Sequence, residues 1–145
     1  MFYRDLSKYE YSPETIPPGV AALNVGWLEH GHKYQRRRDL DARTAAALFD
    51  LCADHRAATT RGFHLCSLCD AGMRKEHAGE WGLGVTASLG GRAITTGSSE
   101  VRVLRVDGVW LCAPDMIIHY VLVHGYQPPP DFESAVRERR WVLTG

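Results

Sequence analysis

Residues 62–72, GFHLCSLCDAG, constrain this chain more than any other stretch, because they crowd His64, Cys66 and Cys69 into six positions between two glycines. Three chemistries compete for such a cluster. A redox pair would place Cys66-x-x-Cys69 at the start of a helix after a strand, where the helix dipole lowers the first thiol's pKa. Here a helical stretch precedes the pair and the strands beyond it read as antiparallel. Two buried thiols would need an apolar setting, whereas Ser67, Asp70 and Gly72 make a polar loop. A metal site fits best. Cys-x-x-Cys in a tight turn lets two thiolates grip one Zn²⁺ from the same side, and tetrahedral closure then takes two further ligands.

His64 is the nearest third ligand. For the fourth, Cys52 ranks first because it sits near the end of the preceding helix, just before the loop; His119 ranks second and His124 third. The two histidines of MIIHYVLVHGY (116–126) are five apart. On an ideal helix their directions differ by about 140°, which argues against one ion taking both. The expected set is Cys52, His64, Cys66 and Cys69. His119 and His124 are then left for a second role, with Tyr120, in a polar notch where their helix meets the cysteine loop. The bland alternative is that His119 bonds a core carbonyl and His124 stabilises its own helix end.

At 145 residues the chain fits one domain with a core that needs no disulfides. The 17 basic and 17 acidic residues cancel, so the basic excess that drives nucleic-acid binding is missing. Arg36-Arg37-Arg38, answered by Asp39 and Asp41, reads as a solvated loop beside a helix start. No apolar run resembles a secretory signal or a membrane span. A cytoplasmic location is expected, with thiols reduced or metal-bound.

The first 19 residues read as an irregular, aromatic arm ending in Pro17-Pro18-Gly19. A short strand follows within 20–31, then a helix from about Asp41 to His55, with Asp39 or Asp41 as N-cap and an alanine-rich body. Leu40, Thr44, Ala47, Leu48, Leu51 and Cys52 form its buried stripe. Beyond Trp81 the period becomes two. Strands are expected at 91–97, 100–106 and 109–114, as an antiparallel meander with a type I′ turn at Asp107-Gly108. Pro114 would open a helix that Gly125 ends, and a last helix from about Asp131 to Arg140 would turn Phe132, Ala135 and Val136 inward. The fold class is α+β: one domain, a small antiparallel meander, about three helices and a zinc loop.

RDLSKYEY, LNVGWLEHGH, TRGFHLCSLC, GSSEVRV and IIHYVLVHGYQPP together resemble a family of small, largely actinobacterial proteins classed as a domain of unknown function. The likeness spans nearly the whole chain. It implies that His64, Cys66, Cys69, His119 and His124 belong to the family's pattern, and it implies no activity; Cys112 and His55 fall outside it. Zinc nucleobase deaminases share a Cys-x-x-Cys pair but need an upstream His-x-Glu or Cys-x-Glu, which is missing here. The expected function is a structural-zinc module that binds a protein partner, of adaptor, regulator or immunity type. The alternative is a small zinc enzyme with His119, His124 or Glu100 as acid–base groups.

Overall fold

The computed structural model describes residues 1–37 and 39–143. It holds five strands, β1 (Ala22–Asn24), β2 (Val85–Leu89), β3 (Arg92–Thr96), β4 (Glu100–Leu104) and β5 (Trp110–Pro114). Four α-helices join them: α1 (Ala42–Asp54), α2 (Ala71–Glu76), α3 (Ile117–His124) and α4 (Pro130–Arg137). The chain is a small single α+β domain, as expected. No helix among the described residues is long and apolar enough to cross a membrane.

Asp41 caps α1, its carboxylate accepting from the Thr44 amide at 3.1 Å, which satisfies one of the orphan donors of the first turn. Ala47, Leu48, Leu51 and Cys52 then form one buried stripe facing α3 and α4, while Leu40, outside the helix, is exposed. On α4 the residues expected to face inward, Phe132, Ala135 and Val136, are buried. Gly125 ends α3 at φ 65°, a left-handed cap that glycine adopts without strain.

The strands correct the expected meander. β3 pairs with β2, not β4, so the antiparallel strands divide between a two-stranded sheet and a three-stranded one ordered β1-β5-β4. In the larger sheet β1 runs parallel to β5, Leu23 opposite Leu111. That pairing is long-range, and a local alternation pattern carries no trace of it. β2 and the six-residue α2 were not anticipated either. The β4–β5 turn is also not type I′: Gly108 alone has positive φ there, at 86°, and Asp107 does not. The Gly108 amide donates to Arg105 O and the Arg105 amide to Val109 O, both at 2.9 Å. This is the three-residue alternative, a type I turn closed by a left-handed glycine. Pro114 is the last residue of β5 and does not open a helix; α3 starts three residues later.

Two large side chains with polar ends are tucked in. Trp27 is buried, its indole N–H donating to Cys112 O at 3.0 Å. Arg37 is not solvated: its guanidinium lies 2.9 Å from Glu133 in a pair that is nearly buried. Arg38 lies outside the described residues. The N-terminal arm packs through Tyr9, whose hydroxyl donates to Glu100 Oε2 at 2.7 Å and accepts from Arg102 at 3.1 Å.

Candidate metal centre

The cysteine turn is built locally. The Cys69 amide closes back on Cys66 O, and Asp70 immediately caps α2 by accepting from the Met73 amide at 2.8 Å. The loop is then docked at two points. Ser67 Oγ accepts from the His30 amide at 3.0 Å, and the His64 amide donates to Gly97 O at 2.8 Å. The second contact needs glycine: Gly97 has φ 116°, and a Cβ there would lie 2.6 Å from His64 O.

So docked, the loop presents Cys66 and Cys69 to His119 in the first turn of α3 and to His124 at its end. Cys69 Sγ lies 3.2 Å from His119 Nε2 and 3.4 Å from His124 Nε2. Cys66 Sγ is 3.5 Å from His124 Nε2, and the two Nε2 atoms are 3.2 Å apart. All four ligand atoms fall within 4.8 Å of one another. A zinc ion with its usual Zn–N and Zn–S bonds sets tetrahedron edges of about 3.3–3.8 Å. Four of the six separations, 3.2–3.5 Å, lie close to those edges and all six stay within 4.8 Å, so the cluster has about the size that one four-coordinate ion needs.

Two of the four expected ligands, Cys52 and His64, lie outside this cluster. Cys52 is fully buried on the α1 stripe, against the Ile118 backbone and Asp115, where burial pushes its thiol pKa well up. It is a core residue and no member of the cluster. His64 binds the fold through its backbone, and its ring is exposed. His119 and His124, ranked below Cys52, are the residues that complete the cluster with Cys66 and Cys69. The angular argument against them used ideal Cβ directions. His124 is the last helical residue, and an imidazole carries Nε2 well beyond Cβ, so the two rings converge. A usable signal was in the sequence: Cys-x2-Cys followed by His-x4-His falls within the spacing of structural Cys₂His₂ sites, with an unusually long gap between the pairs. Reading 119 and 124 only as helix faces concealed it.

The electrostatics suit a metal as well. His119 is fully buried; that burial, with His124 and His77 nearby, lowers its pKa to about 3. Burial, His77 and Arg36 also lower that of His124. Both rings are thus held neutral, the form that ligates. The Cys69 thiol is pushed up to about 12 by burial and by Cys66. Without a cation Cys69 keeps its proton, and a bound dication would reverse this by taking the thiolate. Glu100, the third acid–base candidate, is not in the cluster; its buried carboxylate is held by Tyr9 and Arg102.

The family model for a domain of unknown function, DUF7919, matches residues 1–137. The chain belongs to the DUF7919 family. No curated protein and no solved structure matches it. The DUF7919 match spans the cysteine turn and the whole of α3, so all four clustered residues lie inside the family's extent.

Proposed function

We propose that this chain is a protein-interaction domain stapled by one structural zinc, held by Cys66, Cys69, His119 and His124. The observation that carries the reading is the four-atom cluster at tetrahedron-edge distances, contributed by two thiols and two neutral imidazoles. Two thiolates and two imidazoles form a closed set with no position left for water, the pattern of structural rather than catalytic zinc. The alternative of a zinc enzyme loses its acid–base groups to the same cluster, since both Nε2 atoms belong to it. Support for a protein partner comes from the segment the metal would pin. Phe63, Leu65, Trp81 and Leu83 are all exposed there, and Trp81 is 89% exposed. Exposed apolar side chains mark interaction surfaces where they adjoin in a patch.

The test is metal analysis of untagged protein, followed by cobalt substitution. One zinc per chain, and a cobalt spectrum of tetrahedral intensity with thiolate charge-transfer bands, are expected. A five- or six-coordinate cobalt spectrum would mean an open site and return the enzyme reading.

A further inference from the structure

Beside the docked cysteine loop lies a cleft of about 130 Å³, walled by the loop, by the turn after β3 and by the start of α3. That is close to the roughly 150 Å³ that holds a benzene-sized guest. His64, Leu65 and Ser67 form its outer wall, so the metal loop also shapes the cleft. Three carboxylate residues line it, Glu29, Glu100 and Asp115, together with the aromatic rings of Tyr11, Trp27 and Tyr120. No lysine or arginine does so among the described residues. The Met1 amino group reaches Glu29 at the rim, at 3.5 Å.

Asp115 is the unusual member. Its side chain is 1% exposed. One oxygen, Oδ1, accepts from the Gly97 amide at 2.8 Å. The other, Oδ2, has no hydrogen-bond partner among the described residues. Its nearest cation, Arg56, stays 3.8 Å away and donates instead to Thr95 O. A buried carboxylate oxygen left without a donor is costly, and such orphans mark strain or an absent partner. The Glu100 oxygens, by contrast, are taken by Tyr9 and Arg102.

We propose that this cleft receives a primary ammonium group on a short apolar stem, with Asp115 as its anion. The chemistry narrows the ligand. A guanidinium fork wants both carboxylate oxygens, and only one is open here. A divalent metal wants several oxygens, and Asp115 offers one. An ammonium is a point charge with three donors, satisfied by one oxygen and by aromatic faces around it. The apolar share of the lining takes the stem. The inference rests on the reading of the chain as a protein-binding module and deepens it: the group is either a partner's lysine side chain or a free alkylamine.

Titration of the zinc-loaded protein by amide and indole NMR tests it, with n-butylammonium, 1-butanol and an acetyl-lysine N-methylamide as probes. Butylammonium is expected to shift the Gly97 amide and the Trp27 indole, and to bind at least tenfold tighter than 1-butanol. Asp115→Asn is expected to remove that preference while keeping the Gly97 contact and the zinc. If that variant does not fold, the ammonium-to-alcohol ratio in the unaltered protein still decides. Tighter binding of the lysine derivative assigns the cleft to a peptide side chain, and tighter binding of butylammonium to a free amine. Equal binding of ammonium and alcohol, or no shift from any probe, overturns the inference. Zinc content measured on the same samples separates the readings: full zinc without ammonium binding refutes only the cleft, and absence of zinc refutes the staple.

Discussion

The Nε2 atoms of His119 and His124 lie 3.2 Å apart, although the residues are five apart on α3. Two neutral imidazoles at that distance can share one proton, or they can share one cation. With Cys69 Sγ 3.2 Å from the first and 3.4 Å from the second, the cation is the better account. The pair also fixes what substitution should do.

Cys66→Ser and His119→Ala should each lose stoichiometric zinc and much of the fold's stability, because metal-binding free energy in such a site is folding free energy. Cys52→Ser should keep the zinc, and lose about 1–3 kcal/mol for a hydroxyl buried in an apolar stripe. His64→Ala should keep both. Zinc content beside urea melts separates the two ligand sets: zinc lost from Cys52→Ser would restore Cys52 as a ligand.

Acid should unfold the metal-free protein early. His119 has a folded pKa near 3 against an ordinary 6.5, so the unfolded chain takes up its proton first. The stability it contributes is intact above 6.5 and drains away as pH falls toward 3. Asp115 pulls the other way. Burial raises its carboxyl from 3.8 to about 6, so its contribution is full below 3.8 and is lost as pH rises through 6. Melting temperatures between pH 7 and 4 should therefore fall on acidification, and fall more steeply in Asp115→Asn. A flat profile in metal-free protein would contradict the buried, neutral state of His119.

Glu100 serves the fold. Its pair with Arg102 is almost wholly buried, at 3.3 Å, and Arg102 also donates to Thr15 Oγ1 at 2.6 Å, tying the N-terminal arm to β4. Glu100→Ala strands a buried guanidinium, at a cost of about 3–5 kcal/mol. Limited proteolysis should then cut the first 20 residues faster, with zinc content unchanged.

Trp81 holds φ 63° with its ring in solvent. That conformation costs a bulky residue about 1–2 kcal/mol, and asparagine adopts it more readily. Trp81→Asn should raise stability by about 0.5–1 kcal/mol and weaken capture of a protein partner. Loss of stability would show that the ring packs in solution.

Much of the fold was legible locally. Asp41 and the alanine run fix α1, Gly125 stops α3, and the alternation of Val101 and Val103 marks β4. What was not legible depends on distance. The register of Leu23 on Leu111 joins residues far apart in the chain, and no periodicity encodes it. At the metal centre, Cys66 and Cys69 stand out because their spacing is short. His119 and His124 look like helix decoration until a loop from 50 residues earlier is laid across them. The cleft has no trace in the sequence, because the orphaned oxygen of Asp115 is a property of packing alone.

The gap between Cys69 and His119 also sets an order of events in synthesis. The two thiols leave the ribosome 50 residues before the first imidazole. At the usual pace of translation that is a lag of roughly 3–10 s. Throughout it the nascent chain carries a bare two-thiol chelate, open to oxidants and to any soft metal, including Cu(I). Only the arrival of α3 brings the two imidazoles to that half-site. Under the proposed zinc staple, the vulnerable moment falls before the chain has folded, and the supply of zinc during those seconds would govern how much of it matures.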